Sequence, residues 1–486
     1  LYEEEGKADS LVLRTRRDWL QAIPAPLRSR TAQALIDKVN KAAGPSTRKP
    51  PVLFRGGPVH APFSFEVFLN ASDAGVVRLL SHYAEYRDWE NRVDDLVGGT
   101  NEVSWELRRA ASLDPDRFSA FLKLHGRDIP ALFRGAILGG LGHHMDQRRP
   151  SSSEKDWFPR SLPDTTVWLD AVLNLLECSE RGDKKIFGWL EALQICAREV
   201  RTLTDVERVC FLLMSCTTLA SDIDVKEDDD LLSHGLNCLQ GKAAEAAMRL
   251  TASCLENSLM DLPEMLTTLL VRFAKDRDPA VRAVVLNQLP YILYKKPDIG
   301  WVLLEACVSS GPKALWNHAY ECLYHSYTRE FERVDGYLQR MKAEAMPEAG
   351  KTWGLLATLA FLSGHLAWKQ VREALREMDV EEAWKGAMDV LITNIHNAKY
   401  YALCAQGIDS ILSERKLDIK IGGMLNRLFW DKDGRFTSFP LDFIRKCFVY
   451  KNTHPQDRTD FFHPLGKWLL WISNHDAELG ITVTEW

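Results

Sequence analysis

The chain has 486 residues, of which 46% are hydrophobic and 26% are charged, and its 61 basic and 67 acidic residues give a net charge of −6. This balance excludes a general electrostatic attraction to nucleic acid or acidic membranes, and no segment approaches the roughly 18 consecutive apolar residues of a membrane span. A single core stops growing at about 250–300 residues, so we expect two or three domains or an elongated array.

Apolar residues recur at helical spacing almost throughout the chain. Segments such as WLDAVLNLLECSE and VERVCFLLMSCTTLA place them at i, i+3, i+4 and i+7, which is typical of amphipathic helices. The best strand patterns are VLFRGGPVHAPFSFEVFL and the tail ITVTEW, and neither provides a sheet of useful size. The sequence predicts an all-α fold, namely a HEAT-like helical-hairpin solenoid with irregular Pro/Gly-rich insertions.

Two irregular segments divide the chain. Prolines interrupt Lys41–Phe63, and Met145–Asp164 is rich in serine, proline and charge, so we interpret both as linkers or long surface loops. The predicted domains are an N-terminal helical segment and linker at 1–63, a middle helical domain at 64–150, a HEAT-like α-solenoid at 151–428 and an aromatic-rich C-terminal cap or binding region at 429–486.

Ten cysteines are scattered through the chain without a CxxC pair, mostly in apolar helical contexts such as FLLMSCTTLA. Such cysteines serve as small core residues in a reducing compartment, so we expect a cytoplasmic protein. The chain begins at Leu1, with neither a methionine nor a secretory signal. We therefore expect part of a larger chain or complex.

Neighbouring histidines and clustered carboxylates suggest metal sites only superficially. His143 and His144 end an apolar helix without an HExxH motif, which favours an interaction with the negative end of the helix dipole. The run Asp222–Asp230 lacks the central glycine and final glutamate of a calcium loop and is more typical of a solvated loop. We predict no metal, no cofactor and no catalytic residue.

The most informative pattern is a repeat around the segment LTTLLVRFAKDRDPAVRAVVLNQLPYILYKK. Here one helix ends, Asp278 can cap a second, and Pro279 occupies its first position, where a missing N–H costs nothing. Five apolar ladders start 34, 34, 37 and 31 residues apart, a period that suits paired-helix solenoids. The ladders are Ala247/Thr251/Leu255, Val281/Val285/Leu289, Leu315/Ala319/Leu323, Thr352/Leu356/Ala360 and Ala383/Ala387/Leu391.

The stretch AMPEAGKT, Ala345–Thr352, resembles a Walker A loop if alanine is allowed at the first position. A phosphate-binding loop follows a buried strand, whereas the preceding FERVDGYLQRMKAE has the pattern of a charged amphipathic helix. We therefore interpret Pro347–Gly350 as an inter-helix turn, with Lys351 and Thr352 beginning the next helix.

Other residues of the repeat leave two interpretations open. His318, Cys322 and His325 share a helix face and are either zinc ligands or a packed surface. A row of tryptophans follows the ladder starts by one residue and either seals the core between repeats, which we favour, or lines one face. These tryptophans are Trp316, Trp353 and Trp384.

The C-terminal region from Phe429 to Trp471 holds 11 aromatic residues in 43 positions, interleaved with basic residues. Trp, Tyr and Arg dominate the hot spots of protein interfaces, so this region is a candidate partner-binding surface. A terminal cap that closes the last apolar face is the equally favoured alternative. The candidate partner-binding residues are Trp430, Arg435, Phe439, Tyr450 and Trp471.

Three segments of the middle region carry a family resemblance: SDAGVVRLLSHYAEYRDWE, LVGGTNEVSWELRRAASLDPDRFSAFLKL and DIPALFRGAILGGL. They resemble the helical-repeat arms that follow the NTPase module in bacterial STAND (NACHT-like) signal-transduction ATPases, many of which act in anti-phage defence. The resemblance implies that this chain is the arm alone, which senses a foreign protein.

Taken with the repeat, this resemblance leads us to expect a non-enzymatic sensor that binds a protein ligand through a solenoid surface. The first alternative is a scaffold or regulatory subunit of a complex, with release by proteolysis as one form of it. A HEAT-like enzyme or nucleic-acid binder is disfavoured by the net charge of −6 and by the lack of a Lys/Arg-rich groove pattern.

Overall fold

The computed structural model describes residues 25–43, 59–84, 97–146, 158–179, 187–217, 230–257, 262–309, 315–414, 422–430, 436–453 and 462–484, together with Leu13, Arg17, Leu20 and Gln21. These residues form an all-α structure, which confirms the predicted fold class. None of their helices is both long and apolar enough to cross a bilayer. The chain divides into two compact units, Leu1–Glu106 and Leu107–Trp486. The four predicted domain ranges stay a prediction.

The first unit contains a small aromatic core. Phe68 is buried and contacts Phe63, whose ring also meets Tyr83 edge to face, with ring centroids 5.4 and 5.7 Å apart. A parallel bridge pairs His60, which lies in the stretch predicted to be extended, with Val97, which lies outside it. That stretch becomes helical from Glu66. The helices are α1 (Arg30–Ala43), α2 (Glu66–Asn70), α3 (Asp73–Ala84) and the first part of α4 (Thr100–Leu113).

Several of the first helices of the second unit begin at side-chain caps. The Asp164 carboxylate accepts hydrogen bonds from the N–H groups of Thr166 and Val167, and Thr202 forms a capping box with Asp205. Each cap satisfies backbone donors that have no partner within the helix. These helices are α5 (Pro115–His125), α6 (Ala131–Asp146), α7 (Thr165–Glu177), α8 (Phe187–Glu199), α9 (Leu203–Cys216) and α10 (Leu231–Leu236).

The predicted repeat corresponds to alternating helices that pack in sequence order. Five ladder helices each carry one predicted ladder, and each packs against the next ladder helix. Every ladder residue is buried except Leu255, which is half-buried. The ladder helices are α11 (Leu239–Glu256), α13 (Pro279–Lys295), α15 (Leu315–Ser326), α17 (Pro347–Leu362) and α19 (Glu381–Asn394).

Intervening helices form a second layer beside the ladder helices. Helix α12 packs against α14, and α16 against α18. Ion pairs about one repeat apart in sequence join members of this layer, and such exposed pairs contribute about 0–1 kcal/mol each. The intervening helices are α12 (Glu264–Ala274), α14 (Pro297–Val308), α16 (Phe331–Glu344), α18 (Trp368–Met378) and α20 (Tyr401–Leu412). The pairs are Arg340–Glu305, Lys342–Glu377 and Arg376–Glu414.

A proline inside α13 is accommodated by the neighbouring ladder helix. Pro290 has no N–H to donate to the carbonyl of Leu286 four residues earlier. The buried thiol of Cys322 on α15 donates to that carbonyl instead, at 3.4 Å. Cys322 therefore satisfies a backbone carbonyl that Pro290 leaves without a donor in the preceding ladder helix.

The AMPEAGKT stretch contains a helix boundary and no phosphate loop. Ala345 ends α16 in the left-handed conformation, with φ of 46°, and α17 begins at Pro347. The predicted turn at Pro347–Gly350 is therefore wrong, because these residues already form the first turn of α17. Proline suits that first position, since its missing N–H has no partner there in any case.

Two glycines allow α17 and α19 to approach closely. A Cβ atom on Gly354 would lie 2.1 Å from the carbonyl oxygen of Ala383, and one on Gly386 would lie 2.5 Å from that of Lys351. Any larger residue would therefore force the two backbones apart. This crossing holds the fourth ladder helix against the fifth.

The last helices are α21 (Gly422–Leu425), α22 (Leu441–Thr453), α23 (Phe462–His475) and α24 (Ala477–Thr484). Helix α24 includes Ile481–Thr484, so the strand pattern noted in the tail is wrong. Asp476 accepts a hydrogen bond from the N–H of Leu479 at the start of α24, and Val483 is buried. Capping and tertiary packing outweigh the β preference of the branched residues.

Candidate protein-binding surface

The C-terminal candidates occupy different environments. Phe439 and Tyr450 are buried, whereas Trp471 is half-buried against Phe436, with ring centroids 5.6 Å apart. Trp430 is 55% exposed. Arg435 lies outside the described residues. Of the four candidates that the structure describes, Trp430 is thus the one that presents most of its side chain to solvent.

Phe439 belongs to a packed aromatic group that we call the C-terminal aromatic cluster, formed by Phe429, Phe439, Phe443 and Trp468. Phe439 stacks on Phe443 with ring centroids 5.3 Å apart, and Phe429 meets Trp468 edge to face at the same separation. The Trp468 indole N–H donates to the carbonyl of Thr437 at 2.8 Å. This arrangement has the features of a core: buried rings and a satisfied polar atom.

The tryptophans that follow the ladder starts are also core residues. Trp316, Trp353 and Trp384 are all buried, which confirms the favoured interpretation. They lie on α15, α17 and α19, the helices that pack against one another. They therefore contribute to packing between repeats.

The zinc and packed-face interpretations of α15 can now be compared. Cys322 is buried and bonded to a carbonyl, and burial raises the pKa of its thiol, which opposes formation of the thiolate that zinc requires. His325 is exposed and lies 3.6 Å from Glu321. The described residues contain no group of three His, Cys, Asp or Glu side chains placed to hold a metal ion. Of the three residues, Cys322 is packed in the core, His318 is half-buried and His325 is exposed, so the packed-face interpretation holds for Cys322 but not for His325.

His144 contacts the end of a neighbouring helix. Its Nδ1 lies 2.8 Å from the carbonyl oxygen of Ser112 in the last turn of α4, so Nδ1 donates to that oxygen. Burial lowers the pKa of His144 below the ordinary value, which favours the neutral ring. His144 thus forms a hydrogen bond to α4, and the expected charge–dipole interaction of His143 at the end of α6 stays a prediction.

The arrangement most suited to recognition lies on α14 and α16. We call Trp301, Glu305, Arg333, Tyr337 and Arg340 the Trp–Tyr–Arg surface. Trp301 from α14 stacks on Tyr337 from α16, with centroids 5.8 Å apart and planes 15° from parallel. Both rings are buried, and the two arginines lie beside them. The surface thus has a rigid aromatic base and a charged rim.

Both arginines contact the aromatic base. The guanidinium of Arg333 lies 5.6 Å from the centroid of Trp301, and that of Arg340 lies 5.6 Å from the centroid of Tyr337. Arg340 also pairs with Glu305: its Nη1 donates to both carboxylate oxygens, at 2.8 and 3.1 Å. Such contacts orient the arginine side chains while leaving them partly accessible.

Burial raises the pKa of the Tyr337 hydroxyl, and the neighbouring Glu305 carboxylate raises it further. Tyr337 therefore stays neutral across the physiological pH range. The charged groups of the surface are its two arginines and Glu305.

The residues of the Trp–Tyr–Arg surface, together with Gly336, line an open cavity of about 380 Å³. Gly336 lies within α16, and a Cβ atom built on it would have no atom within 4 Å. Glycine destabilises a helix interior, and here it leaves space above the aromatic base. A partner side chain can enter this space without displacing any group.

The indole nitrogens of two tryptophans are held by the ends of α16. Trp301 Nε1 donates to Glu330 at 2.9 Å, and Trp316 Nε1 donates to Glu344 at 2.8 Å. Glu330 is the N-cap residue of α16, and Glu344 is its last residue. Helix α16 is thereby joined at both ends to the two helices that precede it.

A second cavity, of about 440 Å³, lies at the ends of α13 and α15. We call it the Tyr294 pocket, lined by Pro290, Tyr291, Tyr294, His325 and Arg329. Arg329 lies over the Tyr294 ring, 4.8 Å from its centroid. Aromatic and cationic groups therefore line both cavities of this region.

Sequence reasoning did not identify the Trp–Tyr–Arg surface. One signal was available: Arg333 and Arg340 lie four residues before and three residues after Tyr337, so the three share one face of α16. The partner ring, Trp301, comes from another helix 36 positions earlier in the sequence. Only the packing of α14 beside α16 brings these residues together.

Comparison of the chain with protein-family models, with curated proteins and with solved structures found no match in any of the three.

Proposed function

We propose that this chain is a non-enzymatic protein-recognition arm that binds a protein ligand through the Trp–Tyr–Arg surface. The observation that carries the proposal is the stacked Trp301–Tyr337 pair, with two arginines beside it and an open cavity above it. Trp, Tyr and Arg side chains with restricted motion bind partners at a low entropic cost.

The repeat supports the same proposal. Ladder helices that pack in sequence order provide one continuous core, and intervening helices are free to present side chains along the array. We take this array to be an α-solenoid, as the sequence predicts. The resemblance of the middle region to STAND sensor arms makes a foreign protein, such as a phage protein, the favoured ligand.

Gly336 provides the sharpest test. Gly336→Gln places a side chain in the cavity, and Gly336→Ala is the matched control that leaves the cavity largely open. Both substitutions should stabilise α16, by up to about 1 kcal/mol, because glycine is a poor helix former. Loss of binding in Gly336→Gln alone therefore cannot result from unfolding.

The experiment is quantitative cross-linking capture with the wild-type chain and both variants as bait, in lysate from infected, stressed and untreated cells of the native source. We expect a stress- or infection-dependent protein that Gly336→Ala retains and Gly336→Gln loses by at least about tenfold, which is the effect of a hot-spot side chain. Partners that all three baits capture equally would overturn the proposal. Constitutive partners in fixed stoichiometry would favour a scaffold subunit.

A further inference from the structure

The Tyr294 pocket differs from the Trp–Tyr–Arg surface in its charge. The ammonium group of Lys295 lies 5.6 Å from the centroid of the Tyr294 ring, and Arg329 contacts the same ring. Among the described residues, neither Lys295 nor Arg329 pairs with a carboxylate, whereas Arg333 and Arg340 both do. Two cations next to an exposed aromatic ring are therefore left to interact with a ligand.

The shape of the pocket adds an apolar contribution. Tyr294 is 58% exposed, and Pro290 and Tyr291 form the adjoining wall. The volume of about 440 Å³ is sufficient for a few side chains of an extended peptide. A ligand that combined an apolar side chain with neighbouring carboxylates would match both the wall and the cations.

We propose that the Tyr294 pocket binds an acidic, partly apolar segment of a protein partner. Its carboxylates pair with Lys295 and Arg329, and an apolar side chain lies on the ring of Tyr294. This inference rests on the proposed function, because it specifies the chemistry of the partner. It adds a second contact region, at the ends of α13 and α15.

A nucleic acid is the other polyanion to consider. Binding of a phosphodiester chain requires several cations in a row, and each neutralised phosphate adds to the affinity. Here two cations, Lys295 and Arg329, contact the Tyr294 ring, which is fewer than a phosphodiester chain requires. A short acidic segment with an apolar side chain matches both these cations and the apolar wall, so an acidic protein segment is favoured.

The test measures binding of labelled peptides to the full chain by fluorescence anisotropy. The first probe alternates glutamate and leucine, and its matched control replaces every glutamate with glutamine. A labelled oligothymidylate serves as the nucleic-acid probe. The charge-reversal variant is Lys295→Glu/Arg329→Glu, and the control variant is Arg277→Glu/Lys369→Glu, which reverses two exposed charges elsewhere.

We expect the glutamate probe to bind at least about tenfold more tightly than the glutamine probe, as charge-assisted pairing predicts. The Lys295→Glu/Arg329→Glu variant should lose that advantage, while the control variant stays within about twofold of wild type. Tyr294→Ala should weaken both peptides. Equal binding of the two peptides, or equal losses in both charge variants, would overturn the inference. Tighter, charge-dependent binding of oligothymidylate would replace it with a nucleic-acid site.

The Gly336 variants separate this inference from the proposed function. Gly336→Gln should leave binding of the glutamate probe unchanged, because Gly336 does not line the Tyr294 pocket. If the probe fails while partner capture still depends on Gly336, only the assignment of the Tyr294 pocket is wrong. If the probe binds as expected while Gly336→Gln has no effect on capture of the partner, the Trp–Tyr–Arg surface is the wrong interface.

Discussion

Two aromatic regions of the second unit differ in what surrounds their rings. In the C-terminal aromatic cluster, Phe439 and Trp468 contact other rings and are buried on all sides. In the Trp–Tyr–Arg surface, the stacked pair Trp301 and Tyr337 is flanked instead by arginines that reach solvent. In this chain, the region of the sequence that is densest in aromatic residues forms a core. The surface suited to binding is distinguished instead by the charged side chains beside its rings.

The largest expected effect tests whether the C-terminal aromatic cluster is a core. Trp468→Ala should reduce the free energy of unfolding by about 3–5 kcal/mol, because it removes a fully buried indole and leaves a cavity. Urea unfolding followed by circular dichroism measures the change. Trp468→Phe keeps most of the volume and should cost less. A loss below about 1 kcal/mol for the alanine variant would show that the cluster is not a core.

The second effect tests whether the arginines serve binding. Arg340→Glu should reduce affinity for the captured partner by about 2 kcal/mol, roughly 30-fold. The free energy of unfolding should change by less than about 1 kcal/mol, because the ion pair that is lost is exposed. Surface plasmon resonance measures the affinity. Arg376→Glu is the matched control, since Arg376 also joins two intervening helices but contacts no ring in the described structure. Equal losses in both variants would mean that net charge, and not this surface, governs binding.

A third measurement compares how readily the two regions open, using alkylation of one buried thiol in each region as the readout. Burial raises the pKa of Cys307 on α14 and Cys447 on α22 to about 12, from 9.0. Both thiols therefore stay protonated in the folded protein at pH 8, and alkylation there requires local opening. Because burial raises the folded-state pKa of these thiols, their ionisation does not affect stability below pH 9. As the pH rises from 9 towards 12, the thiols ionise more readily in the unfolded chain, and the free energy of unfolding decreases.

With iodoacetamide and mass spectrometry at pH 8, we expect Trp468→Ala to speed labelling of Cys447 by at least about tenfold and that of Cys307 by less. The exposed Cys178 should react rapidly in both proteins and serves as the internal control. Equal acceleration at Cys307 and Cys447 would show that the two regions open together.

The smallest effect concerns the exposed C-terminal candidate. Trp430→Ala should change the free energy of unfolding by less than about 0.5 kcal/mol, since the side chain is largely in solvent. We expect partner affinity to stay the same if the Trp–Tyr–Arg surface is the main interface. A large loss of affinity at unchanged stability would restore the C-terminal region as the interface.

Much of the fold could be predicted because its signals are local. The apolar residues Val281, Val285 and Leu289 are spaced at the helical period. Asp278 and Pro279 are typical of the N-cap and first position of a helix and so predict where the helix begins. The helical tail was missed because β-branched residues were weighed without the packing that surrounds Val483. The first turn of α17 was missed because proline and glycine were taken as turn residues although both fit a helix start there.

The candidate surface was harder to predict because it depends on contacts between helices. Arg333, Tyr337 and Arg340 form a visible pattern on one face of α16, but nothing in that helix identifies Trp301 as the stacking partner. Conversely, the residues around Phe439 have the composition of an interface, and only their burial distinguishes them from one. Composition reports which side chains are present, and packing decides which of them reach solvent.

The bonds from Glu330 and Glu344 to the indoles of Trp301 and Trp316 have a further consequence for the face that α16 presents. The helix cannot turn about its own axis without breaking a bond at one end or the other. Tyr337 and its arginines are thus preorganised, and their orientational entropy is lost during folding. A partner that docks here does not have to order this helix, so more of the contact energy remains as affinity.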